Sequence, residues 1–373
     1  MDDALTRSID GFLISPKTSV AKTRESFEYS VTNQPLQVDR DGCESDSNLP
    51  RTASSAGGAA SQKVSLHDDL QSMVHALQYG SEVEQSAAGR SLRSVSKVSK
   101  DARVQLAQIG GLPVLADCLA YLDPCSSLVA DAVTICYNLA MEADLARPIA
   151  LAGILGTLLR IMETKCEAQL NAVGAISNLC INDTNCQEIR EAGVIPILVT
   201  LARDGTRIPI QKDAVIALFN MAIDTRCRTE IVALGMVNSL LNILDSTDPY
   251  PIEVEVALLL SSLLKVSAAV DEVLENDGLV VLSGLLLAGV KVQGHAAACL
   301  LLVAMHGEAA LKAVKEEGVV TSMVQIAERG NSRGREKVRV GHRRLEKCLE
   351  NGLGWGGLIF ITKYSAELNF NPI

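Results

Sequence analysis

The chain has 373 residues, 48% of them hydrophobic but only 3% aromatic, and a formal charge of −10. A core with so few rings must be built from Leu, Val, Ile and Ala on stacked helices, and the acidic balance argues against the continuous basic surface that nucleic acid or an anionic membrane requires. Basic or neutral protein segments are the easier partners.

Residues 1–63 are rich in Ser, Thr, Asp and Gln, lack a sustained apolar period and end in the small residues ASSAGGAASQ. Such a segment buries too little surface to offset its ordering entropy, so it reads as a disordered arm in which phosphate would add charge. The first residues, MDDALTRSIDGFLIS, are acidic where a secretory leader is basic and then apolar. The longest apolar run, Gly278 to Val290, falls short of the ~20 residues that span a bilayer. The expectation is a cytoplasmic protein, with the nucleus as a second compartment, and no membrane span.

From Val64 to about Ile326 the apolar pattern is helical throughout, and it repeats. Gly111, Gly153, Gly193, Gly235, Gly278 and Gly318 lie 42, 40, 42, 43 and 40 residues apart, each followed by a related apolar string such as EAGVIPILVTL or ALGMVNSLLNI. A period near 42 with all-helical filling marks an α-solenoid of the armadillo or HEAT kind. Within one period, Gly193 ends a short helix where a residue free to take positive φ is favoured, and Pro196 stands near the start of the next. That second helix breaks at Asp204-Gly205, and a third runs from Pro209 or Ile210 to about Ile223. Cys166 to Cys180 and Pro251 to Lys265 read as third helices in the same way. Three helices per period favour the armadillo unit, in an all-α, right-handed solenoid of about six repeats over residues 64–338. Pro148, inside a first helix, is expected to shorten or kink it. Residues 339–373 form a tail, first basic and then glycine-rich, of undetermined structure.

The third helices end in related strings, ICYNLAME, AISNLCIN and ALFNMAID. Their asparagines, Asn138, Asn178 and Asn220, each stand 15 residues before the next landmark glycine, so translation along the solenoid sets them in one row. Third helices line the concave face of such a superhelix. A carboxamide can donate to and accept from a peptide backbone whatever the side chains are, so the row suits an extended protein segment in the groove. The alternative is that each Asn satisfies a nearby helix-end group of its own fold. In the fifth unit the register falls on Ser262 or Leu263 and in the sixth on Val303, which ends the row.

Chemical motifs are sparse. The five histidines are scattered, none near a nucleophile in an elbow setting, and Gly352, Gly354 and Gly357 match GxGxxG without a strand and helix around them. The ten cysteines include no CxxC pair; Cys118, Cys136, Cys180 and Cys299 sit in apolar helical patterns, where cysteine acts as a small hydrophobe. No catalytic residue, cofactor, metal or small-molecule substrate is expected, and the chain reads as a monomeric binding protein. The run Arg329 to Lys347, with eight Lys or Arg against two Glu, reads as a solvated final helix.

The segment QSAAGRSLRSVSKVSKDARVQLAQIGGLPVLADCL resembles the first armadillo unit of the plant U-box ubiquitin-ligase group, and RGNSRGREKV resembles the basic element that closes its repeats. The resemblance covers about Val64 to Val338 and implies the substrate-binding part of such a ligase. The Cys-Pro-Ile and Asp-Pro-Val motifs of a U-box do not occur in the sequence. The readings are therefore an adaptor of the ubiquitin pathway, the substrate-recognition half of a U-box ligase, or an armadillo scaffold in trafficking or transcription. Nuclear-import armadillo receptors place a Trp one turn before each ladder Asn; here those positions hold Thr134, Gly174 and Ile216, which speaks against recognition through stacked indoles.

Overall fold

A computed structural model describes residues 58–181, 183–204, 207–246, 251–287 and 290–316. The expected arm before Gly58, the sixth landmark Gly318 and the basic and glycine-rich tail lie outside the described residues. Among the described residues every regular element is helical. The helices are α1 (Gly58–Tyr79), α2 (Glu82–Val98), α3 (Lys100–Gln108), α4 (Gly111–Tyr121), α5 (Ser127–Ala140), α6 (Ala146–Leu151), α7 (Ile154–Met162), α8 (Gln169–Leu179) and α9 (Asp183–Glu191). They continue as α10 (Val194–Asp204), α11 (Ile208–Met221), α12 (Thr225–Ala233), α13 (Met236–Leu244), α14 (Glu253–Leu263), α15 (Ser267–Glu275), α16 (Gly278–Leu287), α17 (Val290–Ala304) and α18 (Glu308–Glu316). The helical run starts at Gly58, within the stretch expected to be arm, because Ala59, Ala60, Gln62 and Lys63 are good helix formers.

The chain winds as an armadillo-type α-solenoid. Third helices α2, α5, α8, α11, α14 and α17 each pack on the next of their kind, forming one continuous layer. Second helices α4, α7, α10, α13 and α16 form another, and the short first helices bridge the two. The core is a single cluster running the length of the stack, with Leu92, Leu106, Leu115, Ile135, Leu139, Ile154, Leu158 and Ile161 among its fully buried members. Each such side chain contributes about 1.5–3 kcal/mol by leaving water. Buried cysteines share this packing: burial pushes the Cys136 and Cys299 thiols up to about 12, and Cys136, Cys180, Cys227 and Cys299 stand unpaired as small apolar groups.

The turn between first and second helices is set by one left-handed residue. Gly153, Gly193 and Gly235 take φ of +77, +81 and +73°. In the first and fifth units the left-handed residue is instead Gly110, at φ 84°, and Asp277, at φ 54°, one position before the landmark glycine. Gly111 and Gly278 are retained for space: a Cβ on Gly111 would stand 2.6 Å from the Leu106 side chain and carbonyl, and one on Gly278 2.8 Å from Val273. Pro148 acts as expected. The first helix of its unit opens as a 3-10 turn, Ala143–Leu145, and only six residues of α-helix follow.

Ion pairs lock the repeats in register. Arg147 reaches Glu188 at 3.3 Å, Arg190 reaches Glu230 at 2.9 Å and Lys212 reaches Glu255 at 3.0 Å, each across one repeat. The tightest is Arg103, whose Nε and Nη2 donate to Glu142 at 2.9 and 2.7 Å while its Nη1 donates to the Ser96 carbonyl at 2.9 Å. Both side chains of that pair are about a tenth exposed. Arg103→Ala leaves the buried Glu142 carboxylate with only the exposed Lys100, at 3.4 Å, and is predicted to cost about 2 kcal/mol, whereas Arg147→Ala, in an exposed pair, should stay within about 0.5 kcal/mol. Urea unfolding of the two variants checks this.

Candidate functional site

The candidate face is the surface of the third-helix layer. The curvature of a repeat solenoid creates an extended concave surface, and the third helices are the layer expected to line it. Its helices are apolar nearly all round, because both flanks pack on like helices; the residues left partly exposed include Thr134 and Tyr137 on α5, Asn171 and Asn178 on α8, and Asp213, Ile216 and Phe219 on α11. A serine cap fixes the start of α5, where Ser126 Oγ accepts the Val129 amide at 3.3 Å.

The three asparagines fall on successive layer helices, α5, α8 and α11, but their amides are used differently. Asn138 is buried and its Nδ2 donates to Ser96 Oγ at 3.0 Å and to the Arg93 carbonyl at 3.5 Å. Asn220 is also buried, and its Nδ2 donates to the Ser177 carbonyl at 3.4 Å. In the fifth unit Ser262 takes the same part, donating to the Ala222 carbonyl at 3.4 Å. These links reach back one repeat to the preceding layer helix. Asn178 is the exception: its side chain is partly exposed, yet its Nδ2 is buried with no hydrogen-bond partner among the described residues.

A second row runs beside the first. Asp131, Asn171 and Asp213 each stand 22 residues before Gly153, Gly193 and Gly235. Asp131 accepts from Arg93 Nη1 at 2.9 Å and Asn171 donates to Thr134 Oγ1 at 2.8 Å, so both are satisfied from the preceding helix. Asp213 has no such bond: among the described residues no hydrogen bond or ion pair reaches its carboxylate, and its neighbour Lys212 is engaged with Glu255. Burial pushes the Asp213 carboxyl up to about 7, an effect that Lys212 opposes. The Tyr137 phenol goes up to about 12 through burial and then the Asp213 charge. Gly174 lies between them; a Cβ there would stand 2.8 Å from Tyr137 Cε2 and 3.3 Å from Asp213 Oδ2. The bare α8 backbone at Gly174 thus lets a ring from α5 and a carboxylate from α11 converge. Sequence reasoning singled out the asparagines and missed this trio. The available signal was the shared register of Asp131, Asn171 and Asp213.

Among the described residues no group of three His, Cys, Asp or Glu is placed to hold a metal ion. Among them, too, no single helix is long and apolar enough to cross a membrane.

Architecture and layer together define an armadillo-repeat α-solenoid, and the comparisons with known proteins agree. Residues 182–223 match the Armadillo/beta-catenin-like repeat family. The chain is 26% identical over 209 residues to U-box domain-containing protein 45 of Arabidopsis thaliana, a match covering 54% of this chain and 27% of that protein. It thus spans about a quarter of that relative's length. Among solved structures, an engineered protein superposes with a TM-score of 0.69 at 22% identity, over 80% of this chain and 78% of that one. A computationally designed armadillo repeat protein for modular peptide recognition gives 0.50 at 20% identity, over 74% and 99%.

Two predictions follow from the side chains. Asp213 in the folded chain holds a proton near pH 7 that the unfolded chain releases near pH 4. Stability therefore falls as pH rises through that window. Asp213→Asn removes the effect and should raise the melting temperature by on the order of 5 °C at pH 8 while changing it little at pH 4, as read by calorimetry. Separately, Asn220→Ala should cost about 1 kcal/mol through its lost bond, and Asn178→Ala should be neutral or slightly stabilising because it removes an unsatisfied buried donor. Denaturant midpoints distinguish the two.

Proposed function

We propose that the chain binds an extended segment of another protein along the third-helix layer, with Asn178 at the centre of the track and Asn138 and Asn220 flanking it. The observation that carries this reading is the partnerless Nδ2 of Asn178, a buried donor on a partly exposed residue of the layer, beside helices whose equivalent groups are bonded. A peptide carbonyl satisfies it whatever the sequence bound. Layer helices ~8–10 Å apart meet an extended chain advancing ~3.3 Å per residue, so successive helices touch every second or third residue of the segment. The flanking amides are engaged with Ser96 and Ser177 and brace the layer on either side of it. On this reading the protein is a monomeric binder and not a catalyst, working in the cytoplasm or nucleus on protein segments, with no small-molecule substrate, cofactor, metal or direct nucleic-acid contact.

A finer reading places that binding in the ubiquitin pathway, as an adaptor or as the substrate-recognition part of a U-box ligase. Its support is the similarity to a U-box domain-containing protein over the repeats. A scaffold in trafficking or transcription is the rival.

Affinity purification with the full chain and its Asn178→Ala variant tests both levels. The groove reading expects a set of proteins retained by the parent and depleted with the variant; an identical set from both contradicts it. Ubiquitin-conjugating or ligase components within the depleted set support the finer reading, and their absence favours the rival.

A further inference from the structure

Two cysteines of neighbouring repeats meet where the second helix of a unit gives way to the third. Cys125 lies in the loop between α4 and α5, and Cys166 in the loop between α7 and α8. The Cys166 Sγ stands 3.5 Å from the Pro124 carbonyl, 42 residues back, which sets it against the peptide that joins Pro124 to Cys125. Each loop is braced from within. The Cys125 amide donates to Asp123 Oδ1 at 3.0 Å, and the Thr164 hydroxyl donates to the Ile161 carbonyl at 2.6 Å with its oxygen 2.8 Å from the Cys166 Sγ. The two thiols are in hydrogen-bond contact with each other, and both are free. Among the described cysteines Cys125 alone is exposed, while Cys166 is half-buried. The matching loops of the next two units, around Ile208 and Pro251, carry no cysteine.

We propose that Cys125 and Cys166 are a site of reversible oxidation, closing to a disulfide that clamps two adjacent repeats when a small-molecule disulfide such as oxidised glutathione supplies the oxidising equivalents. Cys125, the accessible member, loses its proton and attacks one sulfur of the oxidant; a mixed disulfide forms and the first glutathione thiolate leaves. Cys166 then loses its proton and attacks the Cys125 sulfur, expelling the second glutathione thiolate. The two cysteines give up two electrons and two protons, and the oxidant becomes two thiols. An exposed bond of this kind is open to attack by reducing thiols, so the same exchange runs backwards. Desolvation, and then the facing Cys166, raises the Cys125 thiol above its ordinary value, so nearness of the partner rather than an acidic thiol drives closure. The helices α5 and α8 begin at Ser127 and Gln169, just past the two sulfurs, and pack on each other in the third-helix layer. The bond therefore ties the starts of these two helices together, whether or not a segment lies in the groove.

The test treats the reduced full chain with oxidised glutathione and maps its peptides by mass spectrometry without reductant. The expected product joins the peptides of Cys125 and Cys166, and the oxidised chain should melt on the order of 5 °C higher in calorimetry, a gain that dithiothreitol removes. Cys166→Ser should stop at a glutathione adduct on Cys125, and Cys125→Ser should collect about tenfold less adduct at position 166, where the sulfur is less accessible. Both variants keep a hydroxyl in place of the thiol, and an unchanged melting temperature in the reduced state shows that they fold. A parent that stays at the mixed disulfide with Cys166 free, that joins Cys125 to Cys118 or to a second chain, or that remains reduced overturns the proposal. A bond that forms without moving the melting temperature overturns the clamping of the repeats.

Discussion

Registry between successive repeats is the constraint on which the structure depends. No single three-helix unit encloses a core; the apolar faces are buried only because each helix meets its own kind one repeat away. This makes the spacing of about 42 residues a packing requirement rather than a habit of the sequence. It also decides where polar groups in the layer find partners. Asn138 with Ser96, Asn171 with Thr134, Asn220 with Ser177 and Ser262 with Ala222 span 42, 37, 43 and 40 residues, so each bond stitches one repeat to the next.

On the proposed reading, binding falls where the stitching is left incomplete. An unpaired group buried in a low-dielectric layer costs free energy, and a fold that keeps one leaves it ready for an external partner. Around Gly174 two such groups remain, the Asn178 amide and the Asp213 carboxylate, on adjacent helices and of opposite hydrogen-bonding character. Asn138, Asn171 and Asn220 each donate within the fold, and Asp131 accepts from Arg93.

The architecture was legible in the sequence because its cause is local. A left-handed turn residue is required in every repeat, glycine meets that need, and the helical period between glycines is long and regular. The one-residue displacement at Gly110 and Asp277 was not legible, since either glycine of the pair at 110–111 suits the turn and only the proximity of Leu106 separates them. The asparagine row was legible as a register but not as a set of roles. Whether an amide is bonded depends on a residue some 40 positions earlier, Ser96 for Asn138 and the Ser177 carbonyl for Asn220. Asp213 carried no mark of its own in the sequence; its surroundings depend on Gly174, a residue that in the sequence marked only a missing ring.

The central claim is that partners lie against the third-helix layer, and site-specific photo-crosslinking addresses it most directly. A benzophenone side chain placed at Ile216, partly exposed on α11, is compared with one at Asn242, exposed on α13 in the second-helix layer. The account predicts partner adducts from position 216 and none above background from 242. Adducts confined to 242, or equal at both positions, would contradict it.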